Sequence, residues 1–266
     1  LFLDEVEPVP QCSSSLPVVG TRPRSAKQSD EVSTLAIQDI IFYLRCPYEY
    51  RLRRVWGYEP ELVREMGLGR SVHHILRVLA EKAKRGIDPV AALKQTVDEC
   101  FFMPFQSEKA MASIKPRVEK ALLRYLARHA DTLYRADEVE TRMEFFLDQH
   151  ATLVGRADVL VGDTGVWEVI DYKTSDDTRL YNEAELQVQL YSLGLMETGK
   201  PVKRARIMRV MEEGTSEQQV PVDSHHLQAA QKKAEACVDG ILRRSFPPKR
   251  GTQCGGCDMR RICAYR

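Results

Sequence analysis

The sequence predicts an α/β fold in which helices come first, a β-meander follows, and helix and strand then alternate to the end. Three observations predict it. Apolar residues recur at helical spacing in several stretches up to about residue 131. The period changes to two between residues 139 and 173. Beyond that point helical and strand patterns take turns. The 266 residues suffice for one large domain or two small ones, and 43% hydrophobic with 29% charged residues is the balance of an ordinary globular protein.

Residues 1–32 are rich in Pro, Ser and charge with no apolar period, so they read as a linker, and 33–266 as the folded domain. Ile37, Ile40, Ile41 and Leu44 form one helical face over 36–44. Cys46-Pro47 stops that helix, because the residue before a proline is pushed out of the α region. The stripe Val72, Ile75, Leu76, Leu79 and Ala83 predicts a helix over 70–84, with Gly86 as its C-terminal signal. Further helices are expected at 88–101 and 108–131. Strands are expected at 139–148, 152–161 and 166–173, the last two joined by Gly162-Asp163-Thr164-Gly165. A helix over 183–197, strands near 203–210 and 217–222, and a long helix capped by Ser224 and ending near Arg244 complete the elements.

Lys and Arg number 39 against 38 Asp and Glu, a balance unsuited to coating nucleic acid indiscriminately but compatible with a local basic groove. No apolar run approaches the roughly 18 residues that span a bilayer, and the chain opens without a basic signal-peptide region, so no membrane association is expected. Seven cysteines, three of them in the last thirteen residues, do not form the even, dispersed pattern of a secreted disulfide scaffold. They point to a cytoplasmic protein with a metal or cluster site.

The most informative stretch is Gly155-Arg156-Ala157-Asp158 followed by Glu168-Val169-Ile170-Asp171-Tyr172-Lys173. A carboxylate inside an apolar strand is costly to bury unless it is paired or binds a metal. A tight hairpin brings the strand of Asp158 beside that of Asp171, and Asp171 and Lys173, two apart, share a face. Two carboxylates and an ammonium can then converge, which is what metal-assisted phosphodiester hydrolysis needs. Taken alone, a D-x-K is usually a surface ion pair. His73, in line with Leu76 and Ala80, should face inward, while His74, in line with Arg77 and Glu81, should face solvent. Gln187 and Tyr191 are four apart and share a helix face. Glu168 has the wrong parity to join Asp171, and nothing local decides the role of Glu144.

In order along the chain, Gly69-Arg70-Ser71-Val72-His73, Gly155-Arg156-Ala157-Asp158, Asp171-Tyr172-Lys173 and Gln187-Val188-Gln189-Leu190-Tyr191 resemble the motifs of RecB-like PD-(D/E)XK nucleases. The resemblance covers about residues 36–266. It implies a restriction-endonuclease-like core: a mixed β-sheet flanked by helices, with a helical N-terminal elaboration. It also implies Mg2+ or Mn2+ held by His73, Asp158 and Asp171, with Lys173 acting on the nucleophile or the developing charge and Gln187 and Tyr191 lining the path of single-stranded DNA. The family often caps its first helix with Ser, where this chain has Ala36 and Gln38.

Cys254, Cys257 and Cys263 are spaced C-x2-C-x5-C, and three thiolates so close need a fourth ligand from elsewhere. Cys46, in Arg45-Cys46-Pro47, resembles the single upstream Cys-Pro of the iron–sulfur RecB-like nucleases, such as AddB and the CRISPR-associated exonucleases. The resemblance implies a 4Fe-4S cluster on Cys46, Cys254, Cys257 and Cys263 that staples the ends of the domain together. Zinc is the alternative, although a four-cysteine zinc site usually shows two C-x2-C pairs. Cys100 and Cys237 fall in helical stretches and read as small core residues, and Cys12 lies in the linker.

No phosphate-binding G-x-x-x-x-G-K-[ST] loop is present. The opening Leu1-Phe2-Leu3-Asp4-Glu5-Val6 resembles the last residues of UvrD-like helicase motors, which implies a helicase partner in cis or in trans. The expected function is therefore a metal-dependent nuclease, with exonucleolytic cleavage of single-stranded DNA in repair or recombination. The competing readings are a catalytically silent iron–sulfur module that binds DNA or senses redox state, and a cluster protein that assembles a complex.

Overall fold

The structure, a computed structural model, describes residues 33–59, 67–104, 106–148, 151–174, 181–211 and 216–265. The segment expected to be a linker, with Cys12 and the helicase-like opening, lies outside them.

The chain enters through a short strand, β1 (Ser33–Ala36), and turns directly into α1 (Ile37–Arg45). The sequence did not announce β1: four residues are too few to show a period, and the strand is held by its neighbour and not by its own pattern. At the start of α1 no Ser is present to cap, and Asp39 compensates: its Oδ2 accepts the Ala36 N–H at 3.1 Å. Cys46 is extended (φ −161°, ψ 111°) and ends α1 as expected, and Pro47 opens α2 (Pro47–Tyr50), which runs on as a π-helical turn, Arg51–Val55.

Three helices follow: α3 (Leu68–Lys84), α4 (Pro89–Cys100) and α5 (Glu108–Tyr134). Then come β2 (Ala136–Asp148), β3 (Ala151–Asp163), β4 (Val166–Lys173), α6 (Tyr181–Glu197), β5 (Val202–Arg209), β6 (Ser216–Gln219) and α7 (Ser224–Leu242). Thr164 and Gly165, both with positive φ, make the tight turn between β3 and β4. The cap of α7 is Asp223 and not Ser224. The carboxylate accepts the N–H groups of His225 and His226, which a side chain one residue later cannot reach.

The six strands form a mixed sheet of order β1-β3-β4-β5-β6, with β2 along the other edge of β3. β2 and β4 run antiparallel to β3, whereas β1 and β5 run parallel to β3 and β4 respectively. Helices cover both faces. One core packs α1, α6 and α7 on the sheet through Ile37, Ile40, Val188, Leu190 and Val238; the other packs α3, α4 and α5 through Val72, Ile75, Leu79, Val97 and Leu122. Cys237 is buried in the first core and Cys100 sits at the border of the second. Among the described residues no helix is long and apolar enough to cross a membrane.

β1 and β4 share one edge of β3, end to end. β1 pairs with residues 151–154 and β4 with 159–163, so Gly155 to Asp158 lie at the junction. That interruption in the ladder positions the site.

Candidate active site

The β3–β4 ladder ends at Val159 and Ile170, and the next residues in register are Asp158 and Asp171. Here the side chain of Asp158 replaces a ladder partner: its Oδ2 accepts the Tyr172 N–H at 2.7 Å. Its Oδ1 lies 3.1 Å from His73 Nδ1, on α3. Asp171, only 2% exposed, pairs through Oδ2 with Lys173 Nζ at 2.8 Å. Lys173 Nζ also donates to Gln187 Oε1 at 2.9 Å, and Gln187 Nε2 donates to the Tyr191 hydroxyl. All six sequence-predicted residues of this group, His73, Asp158, Asp171, Lys173, Gln187 and Tyr191, line one cleft of about 760 Å³. His74 faces outward, as its helical position predicts, and bonds Arg77, which pairs with Glu81.

The two carboxyls are driven apart. Burial favours the neutral form of both. For Asp158, the charge and hydrogen bond of His73 and the Tyr172 N–H outweigh burial and hold it below the usual carboxylate range. For Asp171, burial, reinforced by the charge of Asp158, outweighs Lys173 and raises it. His73 is likewise penalised by burial, but the Asp158 charge wins and raises it. Burial, with the charge of Asp171, pushes the Tyr191 phenol far up, so it stays a neutral hydroxyl. Asp171 is thus incompletely compensated where it is buried, and a divalent cation beside it would satisfy it.

Two glycines of the sequence motifs have packing reasons. A Cβ at Gly155 would stand 2.7 Å from Ile37 Cδ1 and 3.0 Å from Tyr191 Cε1, so only Gly lets α1 and α6 close on β3 here. A Cβ at Gly69 would meet Thr174 Oγ1 at 3.2 Å, just past Lys173.

Sequence reasoning missed Glu140 and Arg142 on β2. Glu140 lies opposite Asp158, between the pairs Val139–Val159 and Thr141–Ala157, and pairs with Arg156 at 2.6 Å. Only the register of the β2–β3 hairpin could have revealed this. A second cavity adjoins the cleft, sharing His73, Arg142 and Arg156 with it and adding Arg70, His74, Arg77 and Glu140. Four arginines thus line one cavity beside the cleft, of which Arg77 pairs with Glu81 and Arg156 with Glu140. Glu144 stands on the rim of the cleft. Glu168 lies outside it, paired with Arg206 at 3.1 Å, as its parity requires.

Remote from the cleft, Cys46, Cys254, Cys257 and Cys263 line a cavity of about 390 Å³ floored by Tyr48, Leu52 and Met259. All four are free thiols. No three of their sulfurs lie mutually within 4.8 Å, whereas a zinc tetrahedron with Zn–S of about 2.3 Å draws its sulfurs to about 3.8 Å. Four thiols around one cavity are a donor set that could take a metal ion or a metal cluster. The Lys249 N–H reaches Cys46 Sγ and the Tyr265 N–H reaches Cys263 Sγ, each at 3.4 Å. Burial and the neighbouring Glu49 push the Cys257 thiol up to about 11, and a bound metal would bring it down again. Glu49, buried, bridges Arg45 at 2.7 Å and Arg53 at 2.9 Å, and Arg53 reaches Asp258 at 2.6 Å, tying the entrance of the domain to its tail.

The sequence model of the PD-(D/E)XK nuclease superfamily matches residues 34–264. The chain belongs to that superfamily, and the mixed sheet with its two helical layers is the corresponding nuclease core. It is thus a nuclease by family. Among solved structures it resembles a "Putative exonuclease" from Eubacterium rectale, at 14% identity over 95% of this chain and 96% of that one, with a TM-score of 0.52. It also resembles SSO0001, at 16% identity over 88% of this chain and 87% of that one, with a TM-score of 0.44. No curated protein matches it in sequence.

Proposed function

We propose that this protein is a RecB-like, metal-dependent deoxyribonuclease that degrades single-stranded DNA from an end and carries a structural 4Fe-4S cluster. The observation that carries the reading is the placement of Lys173 Nζ between Asp171 and Gln187, in the cleft that also holds Asp158 and His73. His73, Asp158 and Asp171 would hold Mg2+ or Mn2+, which supplies Lewis acidity and lowers the pKa of a coordinated water. Lys173, kept in place by Gln187, orients the attacking water and offsets charge that develops on the phosphoryl oxygens. Gln187 itself is fixed by Tyr191. Arg70, Arg142 and Arg156 offer cations for the phosphate backbone. The recession of Asp171 suits a strand that threads into the cleft better than a rigid duplex.

The wide sulfur spacing, the cavity and the two N–H···S contacts support the cluster on Cys46, Cys254, Cys257 and Cys263. The likeness of Leu1-Phe2-Leu3-Asp4-Glu5-Val6 to the end of UvrD-like motors extends the reading to coupling with a helicase. The test is a cleavage assay on end-labelled single strands and duplexes with Mg2+ or Mn2+, with Asp171→Ala as control. Metal-dependent shortening of the single strand is expected. Tight DNA binding without cleavage under any metal would replace this reading with a silent iron–sulfur binding module.

A further inference from the structure

The π-helical turn Arg51–Val55 leads into two aromatic rings that have no part in the reading above. We infer that Trp56 and Tyr58 form a platform outside the cleft on which bases of single-stranded DNA stack, an inference that rests on the proposed nuclease function.

Trp56 and Tyr58 are each 48% exposed, and Val55 beside them is 41% exposed. Single apolar residues in water are ordinary, but large rings grouped in one short segment mark an interaction surface. Their backbone is firmly held. The Trp56 N–H donates to the Arg51 carbonyl and the Tyr58 N–H to the Leu52 carbonyl, both at 2.9 Å, and Leu52 is packed with Tyr48 and Met259. Gly57, between the rings, has a φ of 70°, and a Cβ there would meet nothing within 4 Å, so the chain turns in open space. The two ring centroids stand 6.4 Å apart with the planes at 77°. One rigid stack of bases cannot lie on both rings. The unstacked bases of a flexible single strand can turn to meet each, whereas those of a duplex are hidden inside it.

The charges beside the rings suit a phosphate-linked chain. Arg51 Cζ lies 4.3 Å from the centroid of the Trp56 ring, so a guanidinium already sits against the indole. Among the described residues no carboxylate pairs with Arg51, and its charge stays available to a phosphate. Arg54 joins the platform to the cleft. Its Nε pairs with Asp39 Oδ1 at 2.6 Å, and Asp39 follows directly on Ala36, Ile37 and Gln38, which line the cleft. A strand that leaves the cleft over the start of α1 therefore meets Arg54 first and the rings next. Stacking there reads no sequence, because every base has a π face, while the arginines draw the backbone. This continuity with the cleft, and guanidiniums set beside the rings, favour a nucleic acid strand over a docked protein.

The test reads binding directly, in the full chain and without divalent cation so that the strand stays whole. The chain has two tryptophans, and Trp167→Phe leaves Trp56 as its one indole fluorophore. Titration with oligo-dT of about 16 nucleotides, the upper end of such footprints, should quench the Trp56 emission with the Kd given by the anisotropy of a labelled strand. In the chain that keeps Trp167, Trp56→Ala should weaken binding about tenfold, the effect of losing one stacked base. Trp56→Phe keeps a ring and should lose less. A strand that binds without changing the Trp56 emission would overturn the inference and leave the nuclease reading standing. So would a Trp56→Ala protein with the wild-type Kd; if that variant also changed its oligomeric state, the rings would belong to a protein interface. A wild type that quenches with DNA yet cleaves it under no metal would keep the platform and remove the nuclease. A wild type that binds no single strand at all would overturn both.

Discussion

Asp158 and Asp171 meet one step beyond the last rung of the β3–β4 ladder, and their surroundings drive their carboxyls in opposite directions, Asp158 down and Asp171 up. Such divergence between neighbouring carboxyls is a common mark of a functional site. Asp158 is held ionised by His73 and the Tyr172 amide, whereas Asp171 depends chiefly on Lys173. Asp171→Ala should therefore abolish metal-dependent DNA cleavage while leaving the fold intact, since it also removes a buried charge that needs a partner. The check is cleavage of an end-labelled strand beside a thermal melt without metal. Full cleavage by a folded Asp171→Ala protein would remove the assignment of the site.

Lys173 and Gln187 should separate by size of effect. Lys173→Ala removes the cation itself and is expected to lower kcat by about 10²–10³, the range for loss of one charge-stabilising donor. Gln187→Ala leaves the cation but frees it from α6, so its loss should be smaller, and the Gln187 effect should be absent from the double variant, which already lacks the ammonium. Single-turnover rates of the two single variants and the double variant measure this. Additive losses would mean that Gln187 acts independently of Lys173.

Gly155→Ala tests how packing feeds the chemistry. The added methyl would collide with Ile37 and with Tyr191, and Tyr191 is the partner of Gln187. A destabilisation of about 1–3 kcal/mol is expected from overpacking, together with slower cleavage at temperatures where the variant is fully folded. A variant that loses stability but cleaves at the wild-type rate would show that Tyr191 gives way without disturbing Gln187.

The sequence made the carboxylate hairpin legible because its signals are local. Asp171 and Lys173 share a face by parity, Gln187 and Tyr191 by helical spacing, and His73 is distinguished from His74 by its line of neighbours. What stayed hidden depends on pairing between distant segments. β1 is a strand only because β3 lies beside it, and Glu140 reaches the site only through the register of β2 on β3. The cap of α7 was misplaced by one residue because Asp223 and Ser224 are both good caps, and only the direction of the side chain separates them.

Behind the site, Tyr125 hydrogen-bonds Tyr172 at 2.8 Å and stacks on His129. Burial lowers the pKa of His129 below its ordinary value. The unfolded chain therefore binds a proton at this position more readily than the folded one, so stability rises with pH through the interval between the lowered folded pKa and the unfolded value of about 6.5. As pH falls from 7.5 to 5, metal-free wild type should lose thermal stability relative to His129→Phe, whose ring keeps the stacking and does not titrate. Parallel Tm-against-pH curves for the two proteins would show that His129 contributes nothing to the slope.

The cluster prediction concerns the longest connection in the domain. Cys46 follows the first helix and Cys254, Cys257 and Cys263 lie in the tail, yet the four line one cavity. Besides any cluster, the described residues join the two regions there through the Arg53–Asp258 pair, the Lys249 contacts to Cys46 and Leu44, the edge contact of Tyr48 with Tyr265 and the apolar floor. Asp258 is half exposed, so that ion pair adds little. A group bound by all four thiolates closes a loop of some two hundred residues, and by analogy with long-loop cross-links this is worth roughly 3–5 kcal/mol. Protein purified without oxygen should be brown and contain about four irons per chain, as four thiolates on a cubane imply. Cys46→Ser should bleach it, lower Tm and open both ends of the domain to protease, even though that cysteine is remote in sequence from the other three. Cleavage should survive at low temperature, because none of these ligands lines the cleft that holds Asp158 and Asp171. Zinc without iron in protein made under iron-replete, oxygen-free conditions would set the cluster aside despite the sulfur spacing. A Cys46→Ser protein with full colour and unchanged Tm would instead remove Cys46 from the ligand set.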